Sequence, residues 1–120
     1  MNAEETMRAL AAAWEHGDPD AIADRFAPDG VYEGPLFDGF PVGPEAVRAA
    51  CAAAFAETSE VRVPIKHLAM SGDVALAEGQ FLSADLAGVR CDFDLVMVVE
   101  LRDGMIIRFT EYFDTAKLAF

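Results

Sequence analysis

One carboxyl stands among apolar side chains near the end of the sequence. With a period of two, Met105, Ile107, Phe109, Glu111 and Phe113 fall on one side of a strand, and Glu111 is the sole polar member of that set. A carboxyl in apolar surroundings is costly to ionise and keeps its proton to a higher pH than usual. Such a group can take and return a proton near neutrality. Two further polar residues, Glu78 and Gln80, interrupt the set Val74, Leu76, Glu78, Gln80 and Leu82, the better inward set of an earlier strand. A second carboxyl beside Glu111 would drive the two pKa values apart, giving one acid and one base. Tyr32 supplies a hydroxyl that could orient a substrate or a water, and His67 could serve as a base. The competing reading for these groups is a structural hydrogen-bond network, or strand ends that reach solvent.

The elements that must position these groups follow from periodicity. Ala3 to His16 reads as a helix with Met7, Leu10, Ala11 and Trp14 on one apolar face, Asn2 as its cap with Glu5 three residues on, and Gly17 as its stop. Asp18-Pro19 opens a second helix, with Ile22 and Phe26 as inward anchors. Pro28-Asp29-Gly30 reads as a turn and Val31-Tyr32-Glu33 as a short strand, followed by a loop to Pro44. Pro44 opens a third helix whose buried side is Ala46, Val47, Ala50, Cys51, Ala54 and Phe55. From Glu60 the period becomes two. Val61, Val63, Ile65 and His67 share one side of a strand, and further strands run over 74–84, 90–102 and 105–114. The turns Ser71-Gly72-Asp73 and Asp103-Gly104 are short enough to require antiparallel neighbours.

The expected fold class is therefore α+β: three N-terminal helices on a curved, mostly antiparallel sheet, forming a cone with an internal pocket. Cys91, Phe93, Leu95, Met97 and Val99 match the inward set of the last strand. Trp14, Phe93, Leu95, Met97, Phe109 and Phe113 are the expected apolar walls for a substrate, with Gln80 and His67 as its polar contacts. The outward set, Val96 and Val98 with Ala77, Gly79, Phe81, Ile106, Thr110 and Tyr112, is apolar enough to predict a homodimer through the outer sheet face.

The chain of 120 residues is 53% hydrophobic, enough for one domain with a modest core. Its 21 acidic and 9 basic side chains give a net charge of −12, which disfavours nucleic acid and anionic lipid as partners. No apolar run reaches ~18 residues, so no membrane span is expected. The N-terminal stretch is not a secretory leader, and Cys51 and Cys91 read as reduced thiols of a cytoplasmic protein. No phosphate loop, metal-ligand cluster or nucleophile elbow is present, so no metal or cofactor is expected.

Two runs resemble a known family. Trp14-Glu15-His16-Gly17-Asp18-Pro19-Asp20, followed by Phe26-Ala27-Pro28-Asp29-Gly30-Val31-Tyr32, is similar to the opening of SnoaL-like proteins of the nuclear-transport-factor-2-like superfamily. Asp103-Gly104-Met105-Ile106, followed by Glu111-Tyr112-Phe113-Asp114, resembles their closing hairpin. The likeness covers nearly the whole chain. It implies the cone fold, which serves polyketide cyclases, ketosteroid isomerases, limonene-type epoxide hydrolases, dehydratases and non-catalytic binding domains. In the epoxide hydrolases a catalytic aspartate precedes a Tyr-Phe-Asp run, and Glu111 occupies that place here. Tyr32 matches the tyrosine of their Tyr-x-Asn group, with Gly34 in place of the asparagine, and their Arg-x-Asp pair falls on Glu78 and Gln80. The resemblance thus implies a cofactor-independent acid–base enzyme acting on a small hydrophobic substrate by ring closure, ring opening or isomerisation. Glu111, Glu78 and Tyr32 would be its catalytic groups. A ligand-binding or dimeric module without turnover is the alternative.

Overall fold

The computed structural model describes residues 1–118. Helix α1 (Ala3–His16) begins at Asn2, whose side chain accepts from the Glu5 amide while Glu5 accepts from the Asn2 amide, at 2.8 and 2.9 Å. It ends at Gly17, which takes the left-handed conformation. Caps of this kind contribute about 1 kcal/mol each. Helix α2 (Pro19–Ala23) is capped by the Asp18 side chain, and α3 (Pro44–Phe55) starts on its proline. The strands are β1 (Phe26–Glu33), β2 (Thr58–Arg62), β3 (Ile65–Ser71), β4 (Val74–Asp85), β5 (Phe93–Arg102) and β6 (Met105–Tyr112). Thr115–Lys117 forms a short 3-10 turn.

All six strands make one curled sheet in the order β1-β6-β5-β4-β2, with β3 pairing the other half of β4. Every pairing is antiparallel except β1 with β6, which is parallel. Helix α1 packs across β2, β4 and β5, and α3 across β1 and β2, so the helices cover the concave face. Met7 and Leu10 from α1, Ile22 from α2, Val47 from α3, and Phe26, Val99, Ile106 and Phe109 from the sheet are fully buried between the layers. Each contributes about 1.5–3 kcal/mol by leaving water. Among the described residues no helix is long and apolar enough to cross a membrane.

Four expectations about the strands are corrected. β1 runs straight through Pro28-Asp29-Gly30, its register with β6 shifting between Phe26 and Val31. Phe26 is therefore a strand residue. A side chain at Gly30 would overlap the Ile106 carbonyl, so glycine lets the two strands meet there. The stretch from Val61 to His67 is not one strand: the chain breaks at Val63-Pro64 between β2 and β3, and His67 leaves the side that Val63 faces.

In β4 the inward set is Ala75, Ala77, Gly79 and Phe81, register partners of Val99, Met97, Leu95 and Phe93. Small residues face in because α1 lies against this strand and because the Pro64 carbonyl sits where a Gly79 side chain would stand. Val74, Leu76, Glu78, Gln80 and Leu82 belong to the opposite set.

In β6, Glu100 pairs with Arg108 but Leu101 pairs with Ile106, leaving Ile107 as an extra residue. This bulge exchanges the faces on either side of it. Ile106, Phe109 and Glu111 thus point inward, while Met105 is exposed and Ile107 does not join the inner set.

Candidate functional site

The open end of the cone holds a cavity of about 370 Å³. Its inner end is built by Tyr32 of β1, Cys51 of α3, Glu111 of β6 and the loop residues Gly34 and Phe37. Its aromatic wall comes from Trp14, Phe81, Phe93 and Phe113, and Leu36, Val89 and Arg90 reach its mouth.

Tyr32 and Glu111 meet because β1 and β6 are parallel neighbours with Tyr32 opposite Phe109, so the phenol reaches the carboxyl two residues further on. The Tyr32 hydroxyl donates a short hydrogen bond to Glu111 Oε1. The Tyr32 ring is fixed by Phe37 and Phe109, each with its centroid 5.0 Å away. Gly34 is buried over the pair; a side chain there would press on Phe37 and approach Glu111 Oε1.

Glu111 keeps partial exposure through the cavity, yet protein surrounds its carboxyl. Burial pushes its pKa up to about 7, against the lowering effect of the Tyr32 hydrogen bond. Burial also holds the Tyr32 phenol well above its ordinary value, helped by the charge of Glu111 and by the bond it donates. The Cys51 thiol is pushed up to about 12 by burial and then by Glu111, so it stays neutral. Of these three groups only Glu111 therefore changes charge near neutrality. Asp85 lines the mouth, but its Oδ1 is engaged by the Ala87 and Val89 amides at 2.9 Å, which shapes the hairpin tip.

The structure brings together Glu111, Tyr32, Trp14, Phe93 and Phe113 of the residues predicted from sequence. Leu95, Met97 and Phe109 point inward, but they lie in the core rather than along the cavity. Glu78, Gln80 and His67 stand on the outer face of the sheet. His67 and Glu78 side chains are 78% and 57% exposed, with Nδ1 2.8 Å from Oε1. The His67 hydrogen bond holds Glu78 below the usual carboxylate range, opposite to the effect of a buried cavity. Gln80 Nε2 donates to Asp94 Oδ1 at 3.4 Å. The parity reversal in β4 accounts for Glu78 and Gln80, and the break at Val63-Pro64 for His67. The reversal puts Phe81 and Ser83 on the cavity instead, and the pairing of Phe81 with Phe93 was the signal that could have found them. Cys51 lines the cavity from the apolar side already read for its helix, and Phe37 comes from a loop that carries no periodicity.

No curated protein sequence matches this chain. Among solved structures, it is similar to a Catenulispora acidiphila protein with a ketosteroid isomerase-like fold in complex with trimethylamine, at 22% identity and a TM-score of 0.87, covering 97% of this chain and 90% of that one. A Burkholderia pseudomallei nuclear-transport-factor-2-like protein of unknown function matches at 22% identity and a TM-score of 0.86, covering 98% and 94%. A Mycobacterium tuberculosis epoxide hydrolase of the limonene type matches at 23% and 0.82, covering 96% and 84%. At such identities the likeness speaks to the fold alone. The sequence profile of the SnoaL-like domain matches residues 7–109, from the buried face of α1 to Phe109 beneath the tyrosine. The chain belongs to the SnoaL-like domain family.

Proposed function

We propose that this protein is a cofactor-independent enzyme that moves a proton within a small apolar substrate, with Glu111 as the proton-transfer group and Tyr32 as its partner. One observation carries the reading. The carboxyl that closes the inner end of the cavity has a pKa of about 7, so both of its forms are populated at neutral pH. A general base poised there combines a useful ionised fraction with enough basicity. Tyr32 donates to Oε1, which leaves Oε2 for the substrate. The ionised carboxyl accepts a C–H or O–H proton through Oε2, becomes the neutral acid, and returns the proton to another atom of the same molecule.

With Glu78 on the far side of the sheet, no second buried carboxyl assists among the described residues. One carboxyl suits reactions that conserve the proton, isomerisation or ring closure, better than the addition of water. The existence of an epoxide hydrolase with this fold supports ring chemistry in such a cavity.

Small cyclic enones, ketones and epoxides, followed for isomerisation, ring opening and uptake of solvent deuterium, provide the test. At least one should turn over, and Glu111→Gln should slow it by ~10²–10⁴. Compounds that bind in the cavity but react no faster than in buffer would make this a ligand-binding module instead.

A further inference from the structure

One residue of the cavity wall, Trp14, carries a polar atom that proton transfer does not use. Trp14 is only 8% exposed, and its indole nitrogen is buried with no hydrogen-bond partner. Among the described residues, one other buried side-chain polar atom shares that condition, Arg25 Nε, which lies away from the cavity. An unmade hydrogen bond inside a protein is costly, and native chains retain few of them without reason. Among the described residues no acceptor lies within hydrogen-bond reach of the indole nitrogen. Phe55 lies tilted against it with centroids 4.8 Å apart, and Phe81 meets it edge-on at 5.8 Å.

The rest of the wall has the same electrical sign. Phe81 and Phe93 stack at 5.4 Å and 17°, and Phe93 and Phe113 at 4.5 Å and 29°. β5 lies between β4 and β6, so both faces of Phe93 are occupied by its neighbours. The ladder therefore offers the cavity ring edges, whose hydrogens carry partial positive charge, and not the negative faces that attract cations. Ring edges along the wall and an unpaired N–H on one of its residues both favour an electronegative atom.

We propose that Trp14 Nε1 is a substrate-binding donor, and that the substrate is a ring compound whose carbonyl or similar oxygen accepts from it while the reacting atom lies at Glu111. This rests on the reading of the cavity as a substrate site and names the substrate's chemical class. The nitrogen is covered by protein, so the oxygen would reach it only after a side-chain adjustment; Phe81, which touches the indole and lines the cavity, is the ring that would move, and rotamer changes are common on binding. Any negative charge that builds on the oxygen as Glu111 removes a proton would be held by the indole, where it strengthens the bond.

Trp14 is the single tryptophan of the chain, so its indole N–H gives one resonance in a nitrogen–proton correlation spectrum. Cyclohexenone and cyclohexene differ in the carbonyl and serve as probes. Cyclohexenone should move the indole proton downfield and cyclohexene should not. Trp14→Phe should weaken cyclohexenone about 3- to 10-fold, the range for one neutral hydrogen bond, while cyclohexene changes less than about twofold. An indole resonance left in place by cyclohexenone, bound or not, overturns the proposal. Equal weakening of both probes overturns it too, because the ring would then act only as a wall. Glu111→Gln should keep the cyclohexenone shift. Turnover lost in that variant with the shift intact, or turnover unaffected with the shift absent, separates this proposal from the role given to Glu111.

Discussion

Tyr32 and Glu111 stand 79 residues apart in sequence, yet the phenol of one is hydrogen-bonded to the carboxylate of the other across the sheet's one parallel strand pair. That bond lowers the pKa of a carboxyl that burial raises. Tyr32→Phe should therefore move the Glu111 pKa further up, by about one to two units for the loss of a hydrogen bond to a charged group. Rate against pH should show its rising limb displaced to higher pH by the same amount. A limb that stays in place would mean that Tyr32 does not govern the titration.

Glu111 also links stability to pH. Its folded pKa of about 7 lies above the ordinary carboxyl value of 4.5. Between those values the unfolded chain has ionised while the folded chain still holds the proton, so folding loses stability as pH rises through that window. The full effect is on the order of 3 kcal/mol. The depressed carboxyls Glu33 and Asp29 contribute with the opposite sign at lower pH, so the comparison must be made between variants. Urea unfolding of wild type and Glu111→Gln should show the wild type losing ground as pH rises to about 7 and holding level above it. A difference that is flat across the window would contradict the desolvated carboxyl.

Gly79 offers a test of packing. A side chain there would run into the Pro64 carbonyl at the break between β2 and β3. Backbone cannot give way as a side-chain tip can, so Gly79→Ala should cost about 1–3 kcal/mol. Gly39 has open space around it and serves as the control, with Gly39→Ala expected within about 0.5 kcal/mol of wild type. Equal stability of the two variants by urea midpoint would show that the crossing at Pro64 relaxes freely.

The outer sheet face carries the fourth prediction. Ala77, Gly79, Phe81 and Ile106 do not lie there as the sequence parity suggested, but Leu76 is 48% exposed, Val96 39% and Tyr112 54%, with Val98 between them in the register. Arg108 beside this stripe is tied to Glu33 and Glu100 at 2.7 and 2.9 Å. We propose a second copy of the chain as the occupant, because a two-fold arrangement sets the apolar stripe on itself with the ion pairs at its edge. Light scattering should give about twice the 12.9 kDa chain mass, and Val96→Lys should reduce it. A monomer mass for the wild type at micromolar concentration would rule this out.

Helix limits were legible because their signals are local. Asn2, Glu5 and Gly17 bracket α1 by chemistry that acts over one turn. The inward set of β5 was legible because Asp94, Glu100 and Arg102 mark the outer side and strict alternation carries the assignment through the valines between them. The inner face of β4 was not, since hydrophobicity and burial part company where a helix lies close: Ala75, Ala77 and Gly79 are buried because they are small. Glu111 was found from its apolar company, although that company included Met105 and Ile107, which the bulge turns away. Phe37 and the unpaired indole nitrogen were beyond reach, because a loop conformation and the absence of a partner leave no periodic trace.

β6 lies between β1 and β5 in the sheet, although it follows the other five strands in the chain. During synthesis the hairpins of β3, β4 and β5 can zip locally, while β1 meets only the short bridge from Val31 to Val42 and no strand. Insertion of the final strand pairs β1, carries Glu111 to Tyr32 and closes the inner end of the cone in one step. The longest-range strand pairing in the sheet and the meeting of Tyr32 with Glu111 are thus the same event. A chain stalled before that strand emerges would display two open sheet edges and a Tyr32 without Glu111, making it adhesive.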